Sequence, residues 1–252
     1  MSAASDPAAD GGSAPADSAA LGGDAPSAGE AAPGGADPSA DGTASGPVPA
    51  GARVILASHN AKKLRELQRI LAAAVPGLAP EQVISSAGIA LPDVVEDEVS
   101  FEGNALLKAR SAASATGLLA VADDSGLAVD VLGGAPGIFS ARWSGRHGDD
   151  EANNDLLLAQ LSDVPDAHRG ARFVCAAALV GPDGAEHVER GEMTGVLLRE
   201  RRGEGGFGYD PLFLPDGEEL TSAELTAEAK DAISHRGKAF RAIAPHVARL
   251  LG

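Results

Sequence analysis

The chain is poor in the residues that mark several classes of protein. It contains one cysteine, one tryptophan, one tyrosine and two methionines in 252 residues. The single cysteine, Cys175, excludes an intramolecular disulfide and a cysteine-rich zinc site. The sequence has no apolar run of about 18 residues that could span a membrane, and its N-terminus lacks the basic and apolar regions of a secretory signal. We therefore expect a cytoplasmic protein with no membrane partner.

Basic residues are also scarce. The chain has 20 Lys and Arg against 36 Asp and Glu, which gives a formal net charge of −16 at pH 7. Binding to a nucleic-acid polymer depends on Lys and Arg that neutralise phosphates, and this sequence has no basic run and no basic–aromatic stripe. We therefore expect no nucleic-acid polymer as a partner. A small anion can still bind, because a local site can be positive within a negative protein.

The composition changes near residue 50. Residues 1–50 are almost entirely Ala, Gly, Pro, Ser and Asp, with Leu21 and Val48 as the only large aliphatic residues. Such a segment buries too little apolar surface to offset its ordering entropy, which predicts a disordered tail. Three alternatives stay open for it: a partner-binding segment, a solubilising arm, or a segment that is not translated if the true start lies near Gly51.

Residues 51–252 show the alternating patterns of an α/β domain. RVILAS is a short apolar strand pattern, and NAKKLRELQRILAAA follows it with Leu and Ile at helical spacing. The runs ARFVCAAALV and HVERGEMTGVLL are separated by the turn GPDG, which predicts a β-hairpin. Interleaved helices and strands predict one α/β domain, and the hairpin favours a mixed sheet over an all-parallel one.

The first segment with chemical potential is ASHNAKK, residues 57–63, at the predicted strand-to-helix turn. A helix N-terminus offers free backbone N–H groups and the positive end of a dipole, and Lys62 and Lys63 add cations, so the turn suits a phosphate chain. It lacks the glycines of a P-loop or a dinucleotide-binding turn. The alternative is an N-capped surface helix with solvated lysines.

The second segment places Asp123 and Asp124 where an apolar strand is predicted to end in a DDSG turn. Adjacent carboxylates there are costly unless they are solvated, paired or bound to a cation. Mg²⁺ takes carboxylate oxygens and waters while it bridges to phosphates, and VEDE at residues 95–98 offers further acids. An ordinary Asp-Ser-Gly turn is the alternative.

The third segment, GEGGFGYDPLF at residues 203–213, sets Phe207 and Tyr209 beside a glycine-rich run. Aromatic rings in this setting suit stacking on a nucleobase, and the alternative is that they pack onto the core. After this loop, Thr221 and Glu224 match a capping box, which predicts the start of a helix.

The fourth segment, KDAISHRGKAF at residues 230–240, groups polar side chains around a predicted helix start. Lys230 and Arg236 suit a phosphate or a carbonyl oxygen, and His235 suits the edge of a ring. A solvated polar face is the alternative.

Taken together, the segments closely resemble the inosine/xanthosine triphosphate pyrophosphatase family. The similarity runs from about Arg53 to Leu251 through ILASHNAKKLREL, SFEGNALLKAR, ADDSGLAVDVLGGAPGIFSARWSG, GGFGYDPLF and AELTAEAKDAISHRGKA. The resemblance implies a two-lobed α/β fold with an elongated mixed sheet, a central substrate cleft and a homodimer. It also implies Mg²⁺-dependent hydrolysis of the non-standard purine nucleotides ITP, dITP and XTP to monophosphate and pyrophosphate, which cleanses the nucleotide pool.

The resemblance also assigns roles to individual residues. The metal ligands are Glu96 and Asp124, and Asp124 is also the general base. Asp123 supports Asp124 without binding the metal itself. Lys63 holds phosphate, and His235 and Arg236 read the base. The full set of substrate-binding positions is Ser58, His59, Asn60, Ala61, Lys62, Lys63, Ser125, Phe207, Gly208, Tyr209, Asp210, Lys230, His235 and Arg236.

Two positions depart from the family pattern. His59 stands where the turn usually has glycine, and Gly103 stands where the FxENA motif has glutamate. Because neither change touches Asp124, we expect activity to survive, with an altered metal environment. Two rival functions stay open: a pyrophosphatase for thymidine or uridine triphosphate, and a catalytically silent nucleotide-binding protein.

Overall fold

The computed structural model describes residues 46–252, so the predicted tail lies outside the described residues except for residues 46–50. None of the helices within residues 46–252 combines the length and the hydrophobicity that a membrane-spanning helix needs. The strands and helices are β1 (Val54–Leu56), α1 (Ala61–Ala74), β2 (Val83–Ser85), α2 (Phe101–Thr116), β3 (Leu119–Val129), α3 (Asp150–Gln160), β4 (Gly170–Val180), β5 (Glu186–Leu197), β6 (Phe213–Pro215), α4 (Ala227–Ile233) and α5 (His235–Leu251).

The strands form one six-stranded sheet in the order β2-β1-β3-β4-β5-β6. β1 is parallel to β2 and β3, whereas the pairs β3–β4, β4–β5 and β5–β6 are antiparallel. The predicted hairpin is β4–β5, and its tip is closed by a hydrogen bond of 3.0 Å from the Gly184 N–H to the Gly181 carbonyl. The predicted α/β class and mixed sheet are confirmed.

Side-chain caps fix where the first two helices begin. The Asn60 Oδ1 atom accepts hydrogen bonds from the N–H groups of Lys62 (2.9 Å) and Lys63 (3.3 Å), which sets the start of α1. The Ser100 Oγ atom accepts from the Gly103 N–H at 3.1 Å at the start of α2. Gly117 ends α2 with a φ of 67°, the left-handed conformation that a C-terminal glycine supplies.

The core falls into three clusters along the sheet. The first packs α1 and α5 against one face of β1, β3 and β4, and the second packs α2 against the opposite face. The third surrounds the distal parts of β3, β4 and β5, where they meet α3 and β6. The long strands β3, β4 and β5 therefore connect two differently packed ends of the domain.

The predicted DDSG turn is wrong, because β3 runs through it as one continuous strand. Residues Asp123–Gly126 pair with Ala177–Val174 of β4, so antiparallel partners satisfy the backbone along the whole segment. Gly126 is required there, since a Cβ atom would lie 2.4 Å from both the Gly137 carbonyl oxygen and the Ser140 Oγ atom. Close packing of the neighbouring segment, not a turn, accounts for this glycine.

Only half of the capping box predicted at Thr221 and Glu224 forms, and it does not start a helix, because the Thr221 hydroxyl donates to the Arg202 carbonyl at 2.8 Å. The Thr221 N–H donates to Glu224 Oε2 at 2.8 Å, and the two residues close a turn. The helix α4 begins later, at Ala227, where the Thr226 Oγ atom caps the Ala229 N–H at 3.2 Å. One of the two predicted capping bonds is present, and the predicted helix start was wrong.

Gly191 allows α5 to approach β5 closely, which generates a stability prediction. A Cβ atom at this position would lie 2.1 Å from the His235 carbonyl oxygen and 2.6 Å from the Ala239 nitrogen. Gly191→Ala must therefore displace α5, and we expect it to lower the free energy of unfolding by about 1–3 kcal/mol. Denaturant unfolding measures this. Thr194→Ala, on an exposed position of the same strand, is the control, and an equal effect of both changes would contradict the prediction.

Candidate active site

The adjacent carboxylates Asp123 and Asp124 lie on opposite faces of the sheet. Successive side chains of a strand alternate between its two faces. Asp123 therefore lies on the face that α1 and α5 cover, as Val121 does, and Asp124 lies on the face that α2 covers, as Ala122 does. The two acids have different partners and can have different functions.

Asp123 is the centre of a buried ion cluster. Its two carboxylate oxygens lie 2.9 and 2.8 Å from the Nζ atom of Lys63, and the Arg236 Nε–H donates to its Oδ2 atom at 3.0 Å. The residue is only 3% exposed. Burial favours the protonated acid, but the two cations outweigh it and hold the pKa of Asp123 well below its ordinary value. Asp123 is thus a fixed negative charge that positions Lys63 and Arg236.

The same cluster brings Ser125 into the site. The second guanidinium branch of Arg236 donates from Nη2 to the Ser125 Oγ atom at 3.1 Å. Three of the predicted substrate-binding residues, Lys63, Ser125 and Arg236, therefore meet on one face of β3. The two cations outnumber the one carboxylate that they share, so the cluster of Asp123, Lys63 and Arg236 carries a positive charge for an anionic substrate.

Asp124 belongs to a second cluster, on the α2 face. The Lys108 Nζ atom lies 3.4 Å from Asp124 Oδ1 and 3.1 Å from Glu96 Oε1, so one ammonium joins the two predicted metal ligands. Asn104 donates from Nδ2 to Asp124 Oδ2 at 3.3 Å. Burial raises the pKa of Asp124; Lys108 opposes this rise and the neighbouring charge of Glu96 adds to it.

These groups fit a divalent cation. Glu96 and Asp124 are hard oxygen ligands that already converge on one positive charge. Within residues 46–252, no group of three or more His, Cys, Asp or Glu side chains has the geometry to hold a metal ion. A cation here would therefore take its remaining ligands from water or from phosphate oxygens.

Gly103, one of the two departures from the family pattern, has a packing role. A Cβ atom at this position would lie 2.7 Å from the Cβ atom of Glu98. The Glu98 N–H also donates to the Asn104 Oδ1 atom at 3.2 Å. The acidic segment that carries Glu96 thus packs directly on the first turn of α2. It occupies the space that a side chain at residue 103 would need, which accounts for the glycine there.

The predicted phosphate-binding turn is exposed and preformed. The Ser58 Oγ atom accepts from the Asn60 N–H at 3.2 Å, while His59, Ala61 and Lys62 are exposed. The Asn60 side chain already satisfies two helix N–H groups. Of this turn, the residue that reaches the buried ion cluster is Lys63.

The two aromatic residues of the FGYD loop, defined as Phe207–Asp210, have different environments. Phe207 is 56% exposed, and the Lys230 Nζ atom lies 5.1 Å from its ring centroid. Tyr209 is only 3% exposed, and its hydroxyl donates to the Ser140 carbonyl at 2.9 Å. Asp210 accepts from the Phe207 N–H at 2.8 Å and pairs with Lys230. Phe207 is therefore the ring available for stacking, and Tyr209 anchors the loop.

His235 is buried against an aromatic ring. It stacks on Phe173 with a centroid distance of 5.1 Å and an interplanar angle of 14°. Its Nδ1 atom has no hydrogen-bond partner in the part of the chain that the structure describes. Burial, followed by the charges of Arg236 and Lys230, lowers the pKa of His235 well below its ordinary value. The ring is therefore neutral, with one donor and one acceptor nitrogen for a polar ligand edge.

Sequence reasoning missed three of these residues. Asn104 and Lys108 are four positions apart on α2, and that spacing places an amide and an ammonium on one helix face, a signal that was present in the sequence. Phe173 gave no signal, because its stacking partner His235 is distant in the chain and only the fold brings the two rings together.

Comparison with known proteins agrees with this architecture. The model of the Ham1 family matches residues 54–246. A dITP/XTP pyrophosphatase of Streptomyces coelicolor is 62% identical over 200 residues, which cover 79% of this chain and 99% of that protein. A dITP/XTP pyrophosphatase of Mycobacterium tuberculosis is 56% identical over 194 residues, which cover 77% of this chain and 94% of that protein.

Solved structures give the same result. A nucleoside-triphosphatase (dITP/XTP pyrophosphatase) of Mycobacterium abscessus has 54% identity and a TM-score of 0.64, over 77% of this chain and 99% of that chain. A HAM1 protein of Coxiella burnetii has 38% identity and a TM-score of 0.70, over 79% of this chain and 99% of that chain. The family match and the near-complete alignment of these relatives show that the chain belongs to the Ham1 family.

Proposed function

We propose that the protein hydrolyses the non-standard purine nucleoside triphosphates ITP, dITP and XTP to the monophosphate and pyrophosphate. The observation that carries this proposal is that Asp123 and Asp124 have different partners. Asp123 holds Lys63 and Arg236, two cations for an anionic substrate, and Asp124 belongs to a cluster whose carboxylates suit a metal. The relatives named dITP/XTP pyrophosphatases support the substrate class.

The reaction is divided between the two clusters. Lys63 and Arg236 bind the phosphate chain and offset its negative charge, while Ser125 contributes a hydroxyl. This role for Arg236 differs from the base reading that the family resemblance implies, and we assign it because Arg236 shares Asp123 with Lys63. Glu96 and Asp124 would hold Mg²⁺, which when bound neutralises charge on the phosphate oxygens. Asp124, whose pKa is raised by burial, accepts a proton from the water that attacks the α-phosphorus in line. Pyrophosphate then leaves.

The base is recognised by His235 and the FGYD loop. The neutral His235 ring is held flat against Phe173, and Phe207 presents an exposed aromatic face beside Lys230. A hydrogen-bond donor directed at the 6-keto oxygen of hypoxanthine or xanthine would be left without an acceptor opposite the amino group of adenine. This unpaired donor would cost about 1–3 kcal/mol of binding free energy. This difference favours ITP and XTP over ATP.

Three parts of the proposal rest on the sequence and the family resemblance alone. We propose a homodimer, a cytoplasmic location, and a catalytic domain that occupies residues 51–252. The segment just before this boundary still contacts the domain, because the Gly46 N–H donates to the Gly88 carbonyl at 2.7 Å.

The direct test is hydrolysis of ITP, dITP, XTP, GTP, ATP and dTTP with Mg²⁺, with pyrophosphate and phosphate measured separately. We expect pyrophosphate mainly from ITP, dITP and XTP. In water labelled with heavy oxygen, the label should enter the monophosphate, because the attack is on the α-phosphorus. A preference for dTTP would support the rival pyrophosphatase, and nucleotide binding without turnover would support the silent binding protein.

Asp124→Asn tests the proposed general base. The amide keeps the shape of the side chain but cannot accept the proton, so we expect kcat to fall by about a thousandfold or more while nucleotide still binds. Steady-state kinetics and equilibrium nucleotide binding measure the two effects. Asp97→Asn, an exposed position in the same acidic segment, is the matched control. Turnover near the wild-type value in Asp124→Asn would remove this residue from its assigned role.

A further inference from the structure

We propose that Asp150 and Asn154 of α3 are positioning residues that hold the FGYD loop and thereby determine the affinity for the nucleobase. The inference rests on the proposed function, since it assigns the loop to base binding. Neither residue has a role in the mechanism above, and neither belongs to the predicted site.

Both backbone polar groups of Gly208 are bound by these two side chains. The Gly208 N–H donates to Asp150 Oδ2 at 2.6 Å, and Asn154 Nδ2 donates to the Gly208 carbonyl at 2.9 Å. Asn154 is only 3% exposed. Its Nδ2 atom also donates to the Asp150 carbonyl at 2.7 Å, which fixes the orientation of the amide. Being four residues apart, the two side chains lie on the same face of α3.

Within the loop, the Phe207 N–H is bound by Asp210, but the two glycines on either side of Phe207 gain from a restraint from outside the loop. Gly206 and Gly208 have φ values of 77° and 60° in the left-handed region, and glycine loses more conformational freedom on ordering than any other residue. Phe207 is mostly exposed, so core packing does not fix its backbone, whereas Tyr209 is anchored in the core. Gly208 joins the two, and its hydrogen bonds to α3 hold the backbone next to Phe207, whose own N–H is bound by Asp210.

The two residues act on the base and not on the phosphates. The groups assigned to phosphate and to the metal are placed by other elements: Lys63 by α1, Arg236 by α5, and Asp124 by β3 with Lys108 of α2. Loosening the hold of α3 on Gly208 should therefore weaken the binding of a nucleotide. It should not weaken the binding of inorganic tripolyphosphate, which has the phosphate chain and no base.

The test uses Asp150→Ala, which removes the acceptor of the Gly208 N–H, and Asn154→Leu, which removes the donor to the Gly208 carbonyl, in the full-length protein. We expect the KM for ITP to rise roughly tenfold with kcat changed less than about twofold, because the lost bonds position the base and not the reacting atoms. The inhibition constant of inorganic tripolyphosphate should stay unchanged. Hydrogen exchange of backbone amides in residues 203–213 should accelerate, which reports the loop directly and without catalysis.

Two controls keep the test specific. Glu151→Gln removes a charge from the same helix turn at an exposed position that does not contact Gly208, and we expect no change in KM. Asp150→Glu, which keeps the carboxylate, should restore part of the affinity. If the buried Asn154→Leu change prevents folding, the exposed Asp150→Ala change alone decides the outcome.

Two results would overturn the inference. An unchanged KM for ITP in Asp150→Ala would show that the loop is not held for base binding. An equal weakening of ITP and tripolyphosphate would show a general distortion of the site. Failure of the proposed function is distinguishable from both, because it appears in the wild-type protein as absence of pyrophosphate from ITP, dITP and XTP.

Discussion

The ion cluster of Asp123 with Lys63 and Arg236 is the interaction on which the rest of the site depends. It joins β3 to α1 and α5 inside the protein, where an unpaired charge would be very costly. Because the pKa of Asp123 is lowered, the stability that it contributes is present above the ordinary pKa of an aspartate and is lost as the pH falls through the lowered value. The same contacts hold the two cations that we assign to the phosphate chain.

The strand geometry then determines the place of Asp124. Because Asp123 points to the face that α1 and α5 cover, the next residue, Asp124, must point to the face that α2 covers. There Asn104 and Lys108 donate hydrogen bonds to it. β1 pairs with β3 only at Leu119–Val121, so both acids lie beyond this parallel pairing, beside the turn that leads into α1. We therefore propose a structural role for Asp123 and a chemical role for Asp124, although the two side chains are identical and adjacent.

The sequence predicted the parts of this arrangement that depend on local chemistry. The leucine and isoleucine spacing of α1 and the GPDG turn of the β4–β5 hairpin each have a local physical cause, and the structure follows them. The DDSG segment was predicted wrongly because turn-forming residues were considered without β4, whose backbone pairs with Asp123–Gly126. Likewise, the stacking of His235 on Phe173 and the packing of Glu98 on Gly103 exist only after folding.

The most direct test of the division between the two acids is to compare the unfolding free energies of Asp123→Asn and Asp124→Asn at neutral pH. Asp123→Asn leaves two cations without their buried partner, and we expect a loss of about 3–5 kcal/mol. Asp124→Asn removes a charge that burial already disfavours, and we expect a change within about 1 kcal/mol. Equal losses, or a larger loss for Asp124→Asn, would contradict the account.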